Sequence, residues 1–147
     1  MGNLDQALKY FEERSRLGKE LYEAYPENVG FKNGLAISYS KLGSTHTSMG
    51  DLEKALKYFV DYNRLEKELY EAYPENVGFK NGLAISYEKL GSTHTSLGNL
   101  DQALKYFEER SRLGKELYEA YPQNVSFKNG LATVSYTHLT LPTILLV

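Results

Sequence analysis

Cysteine is absent from the 147 residues, so neither a disulfide framework nor a thiolate metal site is open to this chain. Tryptophan is absent too, while tyrosine occurs 13 times, which points to a core partly built from aromatics that keep one polar end. Neither sign of charge is in excess: 17 Lys and Arg stand against 19 Asp and Glu. A nucleic-acid binder would carry a basic surplus on one face, so nucleic acid is not an expected partner. No apolar run reaches the roughly 18 residues that a membrane-spanning helix needs, so no membrane association is expected. The opening Met1-Gly2-Asn3-Leu4-Asp5 has no basic stretch leading into an apolar one. A signal peptide is therefore not expected, and the cytoplasm is the expected compartment. Strand-like alternation is missing before residue 133.

What the sequence does have is repetition. Residues 1–48 realign on residues 49–96 without a gap and differ at nine positions, among them Arg14/Tyr62, Gly18/Glu66 and Ser40/Glu88. A third copy starts at Leu97 and follows the first closely to Ala132. A period of 48 residues marks stacked supersecondary units, none of which can bury its apolar face alone.

Each unit reads as two helices. Leu4, Ala7, Leu8, Phe11, Leu17, Leu21 and Tyr22 fall at three- and four-residue steps and form one apolar stripe. Asn3 is the expected N-cap, with Gln6 three residues on. Pro26 ends this helix, because the residue before a proline is pushed out of helical backbone. A second stripe, Phe31, Leu35, Tyr39, Leu42, His46 and Met49, starts after Asn28 and stops at Gly50. We name the first type of helix B and the second A. The expected helices are 4–24, 29–48, 52–72, 77–96 and 100–120, with a last A helix from about Val125 to the middle 130s. Gly18 sits inside a helix at a cost of about 1 kcal/mol relative to alanine; the second copy has Glu66 there.

The stretch Tyr39–Phe59 resembles a tetratricopeptide repeat. Leu42-Gly43 looks like that family's Leu-Gly pair, Gly50 its inter-helix glycine, Ala55 its small helix-B residue and Phe59 its large aromatic. Tyr87, Leu90, Gly91, Gly98, Ala103 and Phe107 repeat the pattern. The usual repeat has about 34 residues, so this is a long-helix variant; the seven extra residues per helix are nearly two turns and leave the apolar face unrotated. His46 and His94 replace a usual tyrosine, and Tyr62 a usual alanine. The resemblance implies an all-α fold, an α-solenoid of antiparallel helix pairs wound as a right-handed superhelix. It also implies that the A helices line a concave groove for a protein or peptide. By the family pattern the groove positions are Ile37, Ser40, Ser44 and Thr47, then Ile85, Glu88, Ser92 and Thr95. Two turns back, Asn33 and Asn81 join them.

The ends differ from the middle. Met1 is the counterpart of Met49, so residues 1–133 are expected to be an array cut from a longer protein, with repeats 1–48, 49–96 and a truncated 97–133. Its uncapped ends leave room for self-stacking. All 17 basic and 19 acidic side chains precede Thr133. The run Val134–Thr143 resembles a translated sequencing adaptor, so 134–147 is expected to be an artefactual tail.

Ser44-Thr45-His46-Thr47-Ser48 places hydroxyls beside an imidazole, as nucleophilic catalysis wants. On a helix, however, Ser44 and His46 point about 200° apart, and no acid lies nearby in sequence to orient the ring. Packing of His46 between helices is the expected role. Each repeat supplies one histidine of this kind with no i,i+4 partner, so no metal site is expected. No catalytic residue and no cofactor is expected, and the chain reads as a non-enzymatic scaffold. The alternatives are a structural spacer or oligomerisation array, and a regulatory sensor module attached to a signalling enzyme.

Overall fold

The computed structural model describes residues 2–132, with helices α1 (Gly2–Ala24), α2 (Val29–Ser48), α3 (Leu52–Ala72), α4 (Val77–Ser96) and α5 (Leu100–Ala120). A further helical segment is described over residues 125–132. The expected end of that last helix and the adaptor-like tail lie outside the described residues. Among the described residues every regular element is helical, as the two stripes predict.

The helix bounds follow from single residues. Asn28 accepts from Phe31 N at 3.0 Å, and Asn76 and Asn124 accept from Phe79 N and Phe127 N at 3.1 Å. One asparagine thus starts each A helix by satisfying an otherwise orphan N–H. Each B helix ends at a Tyr-Pro pair. The Tyr25, Tyr73 and Tyr121 amides donate to the carbonyls of Leu21, Leu69 and Leu117 at 2.9 Å, and the proline bars another turn. Between α2 and α3, Gly50 N donates to Thr47 O at 3.0 Å and Asp51 N to His46 O at 2.9 Å. Gly50 takes φ +81° to make this Schellman closure, and Gly98 repeats it at φ +83°.

The capping role expected of Asn3 is not found. Helix α1 already runs from Gly2, and Asn3 lies in its first turn. At Gly50 and Gly98 the break is imposed by bonds back to a preceding helix. Gly2 has no described helix ahead of it to close against.

The chain divides into two compact units, one ending at Tyr73 and one beginning at Pro74. In the first unit α2 packs on both α1 and α3; in the second α4 packs on α5. The same joint holds both A–B pairs. A methyl group at Gly43 would fall 2.5 Å from Phe59 Cε1, and one at Gly91 would fall 2.8 Å from Phe107 Cε1. The missing Cβ lets the backbones approach, and the ring fills the space, stabilising each pair by about 2–3 kcal/mol. Leu42, Ala55, Phe59, Leu90, Ala103 and Phe107 are buried, as expected. Glu12, Glu13 and Lys19 are exposed, also as expected. At the far end of each pair, Lys32 meets Glu68 at 2.7 Å and Lys80 meets Glu116 at 2.9 Å. These glutamates are partly exposed, so each bridge is worth about 1 kcal/mol or less. On the helix surfaces Arg64 approaches Glu68 to 3.6 Å, whereas Arg16 takes Glu13 and Glu20, and Lys19 does not pair with Glu23.

Candidate functional site

In α2, Asn33, Ile37, Ser40, Ser44 and Thr47 advance by alternating steps of four and three, which keeps them on one face. Ile37 is 42% exposed and Thr47 is exposed, while Asn33, Ser40 and Ser44 are half-buried. The remaining α2 faces carry the buried residues, Leu35, Ala36, Ser38, Leu42, Gly43, Thr45 and His46. In α4 the matching stripe has Ser92 exposed and Asn81, Ile85, Glu88 and Thr95 half-buried. Each A helix therefore presents one solvent-reached face that is short-chained and, apart from Glu88, uncharged.

Part of this polar equipment is engaged within the chain. Thr47 donates to Gly43 O and Thr95 to Gly91 O, both at 2.9 Å, so each hydroxyl keeps only acceptor capacity. Ser40 shares a side-chain hydrogen bond with Tyr62 of α3. At the equivalent place in the second unit, Glu88 accepts from Arg110 Nε of α5 at 3.1 Å. The two repeat differences Ser40/Glu88 and Arg14/Tyr62 are thus two halves of one exchange: a hydroxyl with a phenol, or a carboxylate with a guanidinium. The signal was present among the nine differing positions, but no single helix reveals that the two positions meet.

The tempting hydroxyl–imidazole cluster is structural. His46 is buried and stacks on Tyr58 with ring centroids 5.5 Å apart and planes at 11°. Thr45 donates to Lys41 O at 2.8 Å, and Thr47 is back-bonded in the same way. His94 stacks on Tyr106 at 5.6 Å, and the Asn99 amide lies 3.3 Å from its Nδ1. Burial holds the His94 pKa below the usual imidazole value. In the first unit Asp51 stands where Asn99 does and caps α3 through Lys54 N, while His46 Nδ1 has no partner. Among the described residues no group of three His, Asp or Glu side chains could hold a metal ion. No described helix is long and apolar enough to cross a membrane.

Glu66 is the residue that the sequence reading passed over as a mere replacement for Gly18. It is 4% exposed, and its Oε2 has no hydrogen-bond partner. Loss of solvent pushes its pKa up to about 7. The nearby Tyr62 phenol is also raised, first by burial and then by the Glu66 charge.

No curated protein matches this chain. The model of the family described as Tetratricopeptide repeat matches residues 36–68 and 84–109. These segments hold the Gly43–Phe59 joint of α2 with α3 and the Gly91–Phe107 joint of α4 with α5. The chain carries tetratricopeptide repeats over these two segments, and such repeats serve generally as protein-interaction scaffolds.

Proposed function

We propose that this chain binds a protein or peptide partner through the A-helix stripes, Asn33, Ile37, Ser40, Ser44 and Thr47 on α2 and Asn81, Ile85, Glu88, Ser92 and Thr95 on α4. The observation that carries this reading is the asymmetry of α2. Leu35, Ala36, Leu42 and His46 of that helix are buried, yet the β-branched Ile37 stands 42% exposed within a polar stripe. An apolar side chain framed by amides and hydroxyls supplies an anchor and a means of orienting what it anchors. Glu88 is already matched by Arg110, so the stripe offers little unbalanced charge. Recognition there rests on hydrogen bonds and apolar contact, and the partner needs no strong charge of its own. Catalysis has no part in this reading.

The test is paired mutagenesis. Peptides selected from a displayed random library on the 147-residue chain are measured against two variants. Asn81→Arg/Ser92→Arg/Thr95→Arg is expected to weaken binding at least tenfold. A control triple on exposed helix-B positions, Glu53→Arg/Lys57→Glu/Lys67→Glu, leaves it within twofold. Equal loss from both variants favours the spacer or oligomerisation role.

A further inference from the structure

The turn from α2 to α3 and the turn from α4 to α5 share one backbone. Met49 and Leu97 both close their helices at φ −83° and ψ −5°. Gly50 and Gly98 follow at φ +81° and +83°. Asp51 then stands at φ −92°, ψ 77°, and Asn99 at φ −89°, ψ 69°. The histidine before each turn is placed alike, His46 stacked on Tyr58 at 5.5 Å and His94 on Tyr106 at 5.6 Å. Asp51 and Asn99 themselves differ in one heavy atom, a carboxylate oxygen in place of an amide nitrogen.

That atom decides where the side chain goes. The Asn99 amide turns back to 3.3 Å from His94 Nδ1 and gives α5 no side-chain cap. Asp51 does the reverse. Its Oδ1 accepts from Lys54 N at 3.2 Å, and Nδ1 of the buried His46 is left without a partner. An unprotonated Nδ1 and a carboxylate are both acceptors, so no hydrogen bond can join them. A proton on Nδ1 turns the ring into a cationic donor. Backbone and ring match those of the second unit, so rotation of the Asp51 side chain brings it to the ring as Asn99 is brought to His94. The charged and titratable groups around His46 are Asp51 and Lys54 at the start of α3 and Tyr58 beneath the ring, with Glu12 of α1 and Asp61 of α3 acting on Tyr58. Carboxylates thus outnumber the one ammonium. His46 also lies in the last turn of α2, where the unpaired carbonyls favour a cation.

We propose that the α2–α3 turn is a proton-operated latch: protonated His46 donates from Nδ1 to Asp51 and ties the end of α2 to the start of α3, while the α4–α5 turn, with Asn99, does not respond. A buried imidazolium is costly without an anion beside it. Asp51 supplies that anion in a charge-assisted hydrogen bond, and Asn99 offers only a neutral amide. The latch needs an ionised Asp51 and a protonated ring. It is therefore closed between the ordinary carboxylate and imidazole ranges, about pH 4 to 6.5, and opens as the pH rises beyond them. It does not depend on the stripes proposed above.

Backbone amide hydrogen exchange of the 147-residue chain reads each turn separately. The Met49 and Asp51 amides, which donate to Thr45 O and His46 O, report the first turn; the Leu97 and Asn99 amides, which donate to Thr93 O and His94 O, report the second. Protection factors, corrected for intrinsic exchange, are compared at about pH 5.5 and about pH 8. The parent for all measurements carries Glu66→Gln, which removes the other buried acid of the first unit. Protection at the first turn is expected to be at least fivefold higher at the lower pH, and protection at the second is expected not to rise. Asp51→Asn, which keeps a capping side chain, is expected to abolish the rise. Asn99→Asp is expected to create one at the second turn. A rise that survives Asp51→Asn overturns the proposal, as does failure of Asn99→Asp to confer one. Equal protection of the first turn at both pH values also overturns it, since the turn would then be held, or left free, whatever the charge on His46.

Discussion

Glu66→Gln should convert a pH-dependent stability into a flatter one. The wild-type carboxyl titrates near 4.5 when the chain is unfolded and is pushed up to about 7 when folded. Below the lower value both states are protonated and Glu66 costs nothing extra. Between the two values the unfolded chain is ionised while folded Glu66 keeps its proton. Folding then takes up a proton, and stability falls by about 1.4 kcal/mol for each pH unit of rise. Above about 7 both states are ionised, and the loss levels off on the order of 3 kcal/mol. His94 acts in the opposite sense. Its folded pKa is lowered, so its contribution to stability rises with pH as the unfolded imidazole also becomes neutral. The difference between variant and wild type cancels that term. Urea unfolding of both proteins at half-unit steps from pH 4.5 to 8 supplies it. The glutamine adds a constant offset from its own buried amide, which the pH dependence of the difference does not contain. Stability of the variant minus that of the wild type is expected to climb through this window and flatten above it. A difference that stays constant within about 0.5 kcal/mol would show that Glu66 is solvated and ionised at neutral pH.

Phe59→Ala removes the ring that fills the space over Gly43 and should cost about 3–5 kcal/mol by urea unfolding; a loss under 1 kcal/mol would place the ring outside the core. Gly43→Ala puts a methyl group 2.5 Å from that ring and should cost about 1–3 kcal/mol by the same assay. Glu88→Ala leaves the buried Arg110 without its acceptor. Because Glu88 is itself part-exposed, the expected loss is about 1–2 kcal/mol, reduced when Arg110 is replaced by Tyr, the residue at the equivalent position of α3.

The helix bounds were legible because each is set by a local rule. Asn28, Asn76 and Asn124 cap, prolines 26, 74 and 122 stop, and Gly50 and Gly98 turn, so α2 to α5 lie where the sequence puts them. The start of α1 was not, since the glycine turn needs a helix on both sides. Partnerships between helices were equally hidden. Ser40 and Glu88 read as free stripe residues, and only the packed pair reveals that Tyr62 and Arg110 reach them. Glu66 read only as the second copy's counterpart of Gly18, because propensity is local whereas desolvation depends on what surrounds the helix. The exposed Leu17 and Leu21 share a periodicity with the buried Leu113 and Leu117, and a stripe alone does not say whether a neighbour covers it.

The most direct test of partner binding through the A helices is a backbone amide NMR titration of the 147-residue chain with its tightest library-selected peptide. Shifts are expected to concentrate at Asn33, Ile37, Ser44 and Thr47 and at Asn81, Ile85, Ser92 and Thr95, with the exposed positions of α3 and α5 unmoved. Shifts concentrated on the charged surfaces of α3 and α5, with those eight residues silent, would contradict it.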